Sequence, residues 1–234
     1  MKTKLLLSSL IVAGILAFNT VSAEEQNRDV SSFSQISLRI SGKVYLTQGE
    51  QQSIRIVAKE SVIDDIITEV KGDELQIRFP NKTIFQRKFN PGKIEIYITV
   101  PDVNGLAVSG SGDIVCKNLD ARILNLAVSG SGSIEIDRLT SKKVKGAISG
   151  SGNVKLNGTG VAEELTVAIS GSGNFDGADF EADQVSVSTS GSGNCRVISN
   201  GSIKARIAGS GSVYYDGGAS IDASVAGSGK VRRM

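Results

Sequence analysis

Histidine and tryptophan are absent from this 234-residue chain, and aromatic residues make up only 5% of it. Without histidine, the chain has no Ser-His-Asp or Cys-His nucleophile pair and no imidazole to bind zinc or copper. Hydrophobic residues nevertheless account for 40% of the sequence and charged residues for 21%, as in ordinary folded domains. We therefore expect a folded protein with an aliphatic core, and we exclude histidine-based catalysis.

The first 23 residues have the pattern of a signal peptide. Lys2 and Lys4 precede an apolar run over residues 5–18, and Val21-Ser22-Ala23 places small residues before a cleavage site. The run is shorter than the roughly 20 apolar residues that a membrane-spanning helix needs. We expect cleavage before Glu24, no transmembrane segment in the mature chain, and a location in the periplasm or outside the cell.

The mature chain is predicted to be electrically neutral. Cleavage removes two of the 26 basic residues, Lys2 and Lys4, and leaves 24 basic residues against 24 acidic ones. A chain without excess positive charge has no electrostatic attraction to nucleic acid or to an anionic membrane. We therefore expect neither of them as a partner.

A four-residue motif with two glycines recurs seven times in the second half of the chain, at steps of 18 to 21 residues. Apolar residues alternate with polar ones on both sides of each copy, which is typical of β-strands. Leucine-rich repeats need a leucine-rich consensus, and a propeller blade is about twice as long. The repeat predicts an all-β fold: a single-stranded parallel β-helix, or solenoid, with a bend at each glycine pair.

Aligned copies of the motif predict ladders of like residues along this solenoid. The position two residues after the second glycine predicts one inner ladder, formed by Ile114, Ile134, Val154, Phe175, Cys195, Val213 and Val231. The position two residues before the first glycine predicts another, formed by Val108, Val128, Ile148, Ile169, Thr189, Ile207 and Val225. Polar ladders are expected on the outside or at a corner, formed by Ser111, Ser131, Ser151, Ser172, Ser192, Ser210 and Ser228, and by Asn153, Asn174 and Asn194.

Residues 24–105 alternate in the same way but lack the motif, and residues 60–70 have the pattern of a short helical turn. We interpret 24–105 as irregular first coils that cap one end of the stack, because an uncovered strand edge pairs readily with other chains. Residues 106–234 are expected to form the regular coils. The two segments together make one continuous domain.

The two cysteines, Cys116 and Cys195, are expected to be free and buried. By the repeat count they lie four coils apart, or about 19 Å at the usual strand spacing. A disulfide requires Cα atoms within about 7 Å of each other. We therefore predict two unbridged thiols.

The outer surface carries residues that suggest three kinds of chemistry. The glycine motif lacks the lysine and Ser/Thr of a phosphate loop and has the wrong period for calcium-binding repeats, so we expect no cofactor or metal. Outward carboxylates together with Lys155 or Arg196 would be needed for polysaccharide cleavage; the candidates are Asp113, Glu135, Asp137, Asp176 and Asp216. The serine and asparagine ladders favour a glycan-binding face instead, although Tyr214 and Tyr215 are the only adjacent aromatic residues in the repeat region.

The chain resembles the bacterial head GIN domain family of auto-transporter adhesins. The resemblance lies in Phe33-Ser34-Gln35-Ile36, Ser41-Gly42-Lys43-Val44-Tyr45-Leu46, Tyr97-Ile98-Thr99-Val100-Pro101 and the Ser-Gly-Ser-Gly repeats. It covers nearly all of the mature chain. It implies a right-handed β-helix and a location in the envelope or at the surface, but no defined ligand and no catalytic residues.

We therefore expect a non-enzymatic, exported interaction module of the bacterial envelope or surface, acting in adhesion. Its partner would be a surface polysaccharide or an envelope protein, and copies of the chain would associate through the ends or sides of the solenoid. A polysaccharide-binding or polysaccharide-cleaving β-helix is the first alternative. A purely structural periplasmic rod is the second.

Overall fold

A computed structural model describes residues 23–80 and 91–234, which form a β-solenoid of about six turns. Seven glycine corners delimit six turns between the first corner and the last. The stacked parallel coils predicted from the repeat are thereby confirmed. Except for Ala23, the predicted signal peptide lies outside the described residues.

The elements fall into an irregular group and a regular group. Within the described residues, the irregular group consists of β1 (Ala23–Arg28), β2 (Gln35–Leu38), β3 (Lys43–Gln48), β4 (Ser53–Lys59), α1 (Glu60–Ile63), β5 (Ile67–Lys71), β6 (Glu74–Arg78) and β7 (Glu95–Val100). The regular group consists of β8 (Gly105–Gly110), β9 (Asp113–Cys116), β10 (Leu119–Gly130), β11 (Ser133–Gly150), β12 (Asn153–Gly171), β13 (Asn174–Gly191), β14 (Cys195–Ile198), β15 (Ser202–Gly209), β16 (Ser212–Asp216), β17 (Ser220–Gly227) and β18 (Lys230–Arg233).

Two faces of the solenoid meet at the glycine corner. Face 1 contains the strands that lead into the corner: β2, β6, β8, β15, β17 and the C-terminal parts of β10 to β13. Face 2 contains the strands that leave it: β3, β7, β9, β14, β16, β18 and the N-terminal parts of β11 to β13. Within each face, every strand pairs in parallel with its neighbours in that face. Residues at equivalent motif positions therefore stack directly above one another.

The core includes most residues of the two predicted inner ladders. On face 2, Ile134 pairs in register with Ile114 and Val154, and on face 1, Val128 pairs with Val108 and Ile148. All six side chains are buried. Each buried aliphatic side chain contributes roughly 1.5 to 3 kcal/mol through its removal from water. The continuous ladders therefore supply the stability that a single turn lacks.

The irregular strands do not stack in sequence order. Strand β2 lies between β6 and β8, and β3 lies between β7 and β9, although β6 and β7 come later in the chain. The turn formed by β2 and β3 is therefore inserted between the β6–β7 turn and the regular coils. Consecutive first coils, the simplest interpretation of the sequence, would have placed the turns in chain order. The chain instead runs out to the end of the stack and returns past its own first turn.

Antiparallel strands close this end of the solenoid. Strand β4 pairs antiparallel with β7 and with β1, and β5 pairs antiparallel with β6. The predicted helical turn is α1, whose Val62 and Ile63 are buried beneath the cap. The irregular capping region expected from the sequence is thus present. Strand structure dominates the described residues, in which the four-residue α1 is the only helix. The described residues contain no helix that is long and apolar enough to cross a bilayer.

The opposite end of the described chain is the turn formed by β17 and β18. Ile221 and Val225 occupy inward-facing ladder positions of β17, yet they are 38% and 41% exposed. Lys230, Arg232 and Arg233 belong to β18, where charged side chains disfavour pairing of an open strand edge. In this turn the core ladders reach solvent.

Candidate interaction surfaces

The two glycines of each motif shape the corner in different ways. Gly130 has a φ of 118°, a conformation that residues with a side chain rarely adopt. Gly132 lies so close to the preceding turn that an added Cβ would be 2.1 Å from the carbonyl oxygen of Gly112. The amide of Ser131, between them, donates to the carbonyl oxygen of Gly110 at 2.8 Å. The corners therefore stack by backbone contact, and only the serine side chain points outward.

These serines form a row along the corner, which we call the serine edge. All seven are exposed, and no hydroxyl of the row has a hydrogen-bond partner among the described residues; they are Ser111, Ser131, Ser151, Ser172, Ser192, Ser210 and Ser228. Stacked strands place successive hydroxyls about 4.8 Å apart. The edge therefore offers regularly spaced donors and acceptors to an external partner.

The predicted asparagine ladder lies beside the serine edge, but its amides are already hydrogen-bonded. Asn174 Nδ2 donates to Asn153 Oδ1 at 3.0 Å, and Asn194 Nδ2 donates to Asn174 Oδ1 at 3.3 Å. Asn194 Oδ1 in turn accepts from the amide of Ser212 at 3.1 Å. The sequence predicts these residues and the serines as one surface. The structure separates them, because the asparagine side chains link successive turns and the serine side chains do not.

Four of the charged candidates stack in a row on face 2 in which acidic and basic side chains alternate. We call this row the charge ladder. Its residues, in order, are Glu135, Lys155, Asp176 and Arg196, paired in register from turn to turn. Lys155 Nζ lies 3.3 Å from Glu135 Oε1, and Arg196 lies 3.1 Å from Asp176 Oδ2. Both basic groups proposed for cleavage chemistry thus have a carboxylate partner.

The remaining acidic candidates are dispersed. Asp113 Oδ1 accepts a hydrogen bond from the amide of Ser133 at 3.1 Å. Asp216 Oδ1 accepts from the amide of Gly217 at 2.8 Å and lies 3.5 Å from Arg233. Asp137 is exposed next to the charge ladder. Over residues 23–80 and 91–234, no three acidic or thiol side chains come together in a group that could hold a metal ion.

A stack of two tyrosines at the capped end of face 2 was missed by sequence reasoning. The rings of Tyr45 and Tyr97 lie 5.0 Å apart with an interplanar angle of 14°. The Arg55 guanidinium carbon lies 4.1 Å from the centre of the Tyr97 ring, in a cation–π contact. The tyrosines are 52 residues apart in sequence, and the parallel pairing of β3 with β7 brings them together. The only sequence signal was a tyrosine at an outward position of each strand.

Hydrogen bonds and charges hold the Tyr45 ring in place. Its hydroxyl donates to Glu95 Oε1 at 3.1 Å, and the pKa of Tyr45 is raised, first by burial and then by this hydrogen bond. Lys93 lies 2.9 Å from the same carboxylate oxygen and lowers the pKa of Glu95. The phenol therefore stays protonated and its hydroxyl group is fixed. The ring can turn neither toward solvent nor away from Tyr97 without breaking these contacts.

The tyrosine stack and the charge ladder belong to the same outer row of face 2, but a small residue interrupts the row. Tyr45 pairs in register with Val115, and the next residue is Glu135. A groove opens above Val115, and its rim includes Lys43, Lys117 and Asp137. We call it the Val115 groove. It combines an aromatic wall with polar side chains, as ligand sites commonly do.

Face 1 has a smoother outer surface. Ala127, Ala147 and Ala168 stack in register, with the first serine of each motif beside them, and form a shallow depression. The ion pair between Arg206 and Asp222, at 2.7 Å, also lies on this face. Because these small side chains lie in register, this part of face 1 is nearly flat.

Both cysteines are unpaired and buried. Cys116 Sγ donates to the carbonyl oxygen of Asn118 at 3.2 Å, and burial raises the pKa of the Cys116 thiol to about 11. Cys195 takes its predicted place in the inner ladder between Phe175 and Val213, and burial raises the pKa of its thiol as well. These groups are protonated at neutral pH and pack as small apolar side chains.

The stacked turns and their repeated glycine corners define a β-solenoid protein. The chain belongs to the head GIN domain family, because the family model described as "Putative auto-transporter adhesin, head GIN domain" matches residues 32–219. The resemblance drawn from the sequence is confirmed. No curated protein matches the sequence significantly.

Three solved structures show the similarity of fold. A "putative adhesin" from Bacteroides fragilis shares 27% identity with a TM-score of 0.85, and the match covers 91% of this chain and 97% of that one. A "putative lipid binding protein" from Parabacteroides distasonis shares 20% identity with a TM-score of 0.73, over 92% of this chain and 98% of that one. A "putative adhesin" from Parabacteroides merdae shares 17% identity with a TM-score of 0.69, over 92% and 97%. The latter two show similarity of fold alone.

Proposed function

We propose that this protein is an exported, non-enzymatic interaction module of the bacterial envelope or surface that acts in adhesion. The observation that carries the proposal is the serine edge, a straight row of exposed hydroxyls without partners in the described structure. The names of the family and of the Bacteroides fragilis relative support an adhesive role. The signal peptide pattern of residues 1–23 supports export.

A surface polysaccharide is the partner that this edge fits best. A polysaccharide is a repetitive polymer whose hydroxyl groups both donate and accept hydrogen bonds, and serine hydroxyls do the same. Ser151 and Ser172, in adjacent turns, would contact neighbouring parts of one glycan chain. The asparagine ladder beside them stiffens the corner, so that little ordering entropy is lost on binding.

Cleavage of the polysaccharide is less well supported than binding. A lyase needs a basic group free to take a proton from its substrate, and general bases work best with a pKa near the operating pH. Lys155 and Arg196 are each paired with a carboxylate, which favours their charged forms. The charge ladder is therefore better suited to stabilising the fold than to proton transfer.

The experiment combines location with binding. Intact cells that express the chain are treated with protease, and the purified protein is tested against polysaccharides extracted from the envelope. We expect surface cleavage of the protein and saturable binding that is lost in the double variant Ser151→Glu with Ser172→Glu. The matched control is Ala147→Glu with Ala168→Glu, which places the same two charges in adjacent turns on face 1. Protection from protease together with no glycan binding would rule out the adhesive role.

A further inference from the structure

We propose that the Val115 groove is a binding subsite for one neutral sugar ring, with the Tyr45 ring as its stacking platform. The proposal rests on the proposed function and adds the site and the ligand class. It assigns the groove a role that neither the family description nor the names of the relatives state.

A gap of one residue interrupts an otherwise continuous row of large side chains on face 2. From the cap along face 2, the outward positions are Arg55, Tyr97, Tyr45, Val115, Glu135, Lys155, Asp176, Arg196, Tyr214 and Arg232. All except Val115 contact a neighbour in the row or are long enough to do so. The strands on either side of Val115 are two spacings apart, about 9.6 Å. A single ring placed above Val115 would lie between Tyr45 and Glu135.

The Tyr45 ring has a fixed orientation that suits stacking against such a sugar ring. Tyr97 covers one of its faces at 5.0 Å, and Glu95 fixes its hydroxyl. Since Tyr97, Tyr45 and Val115 follow one another across three paired strands, the opposite face of Tyr45 is turned toward the groove. The apolar C–H face of a pyranose packs well on a flat aromatic surface. A platform that is already rigid loses little entropy when it binds.

The charged side chains around the groove favour a ligand without net charge. The rim carries two cations, Lys43 and Lys117, and two anions, Glu135 and Asp137. Lys43 Nζ lies 5.6 Å from the centre of the Tyr45 ring, and Glu135 is paired with Lys155. An anionic ligand would meet the carboxylates, and a cationic ligand would meet the ammonium groups. A neutral polyol satisfies both kinds of group, because each hydroxyl donates and accepts hydrogen bonds.

The test is saturation-transfer NMR on the protein purified from the expressing cells, with maltohexaose, cellohexaose and chitohexaose as probes. We expect transfer to the ring C–H protons of at least one probe. Val115→Phe fills the gap, and Tyr45→Ala removes the platform; both should weaken binding at least tenfold. Tyr214→Ala is the matched control, because it removes a tyrosine from the same row, four turns beyond Glu135, and should bind as the unchanged protein does.

A second variant guards against misfolding. Lys117→Ala with Asp137→Ala changes two exposed side chains and leaves the core intact, and it should also weaken binding. If the probes bind equally well to all variants, the groove is not the site, although the adhesive function can still hold. If no probe binds, or if an aromatic dipeptide displaces the sugars with higher affinity, the proposal is wrong. The protease experiment on intact cells tests the proposed function separately.

Discussion

Gly132 contacts Gly112 so closely that a single added Cβ atom would lie 2.1 Å from the Gly112 carbonyl oxygen. That carbonyl also accepts a hydrogen bond from the amide of Ser133 at 3.2 Å. The same approach recurs at the other second glycines of the regular turns, for example at Gly211 over Gly193, again at 2.1 Å. The spacing of the turns at the corner is therefore set by contacts that only glycine permits.

Gly132→Ala should consequently destabilise the solenoid. The methyl group cannot be accommodated without separating two turns at the corner, and overpacking of this kind costs about 3 kcal/mol. The measurement is the free energy of unfolding from urea titration followed by circular dichroism. Ser131→Ala, one residue away and exposed, is the control and should change stability by less than about 0.5 kcal/mol. Equal stability of the two variants would mean that the corner is not closely packed.

The regular half of the fold could be predicted from sequence because its glycines fix the register. Once Gly130 and Gly150 are aligned, Val128 must stack on Ile148, and the structure has this pairing. The irregular half could not be predicted in the same way. Nothing in the spacing of β2 and β3 indicates that β6 and β7, later in the chain, stack outside them. The Tyr45–Tyr97 contact depends on that stacking order. The Val115 groove, which has Tyr45 as its wall, therefore could not be predicted from the sequence either.

Thr189→Val should stabilise the protein by about 1 kcal/mol. Thr189 occupies an inner ladder position between Ile169 and Ile207, is 2% exposed, and its hydroxyl has no hydrogen-bond partner among the residues that the structure describes. A buried polar group without a partner costs roughly 1 to 3 kcal/mol, whereas valine has nearly the same shape. Urea unfolding gives the difference. The control Thr166→Val, at a half-buried outward position, should bring no gain because Thr166 Oγ1 donates to Glu164. A loss of stability in Thr189→Val would show that the hydroxyl does have a partner.

Replacement of Lys155 tests the charge ladder. Lys155→Glu would place three acidic residues in successive turns, because Glu135 and Asp176 lie on either side of it. Lys155→Gln removes the charge without reversing it and serves as the reference. We expect the glutamate variant to be less stable than the glutamine variant by about 1 kcal/mol at low salt, since exposed charge pairs are worth this order. The difference should shrink in 0.5 M salt, where charges are screened within a few ångströms. A difference independent of salt would point to packing.

The buried thiols predict a loss of stability at alkaline pH. Burial raises the pKa of Cys116 to about 11, whereas an unfolded thiol ionises near pH 8.5. The folded state therefore favours the neutral thiol. This contribution is complete below pH 8.5 and is lost as the pH rises toward 11, because only the unfolded chain ionises in that window. We expect the urea midpoint to fall between pH 8 and pH 10, and to fall less in Cys116→Val.

Thiol labelling gives an independent measurement on the same residues. At pH 8, Ellman's reagent should react with neither cysteine of the folded protein and with both after denaturation without a reductant, because burial limits both access and ionisation. Cys195→Val is the matched variant and should leave one reactive thiol after denaturation, with the fold retained because valine already occupies the same ladder position at Val154 and Val213. If denaturation exposes no thiol, the cysteines are bridged, which the four turns between them do not allow. The register of the whole stack would then be wrong.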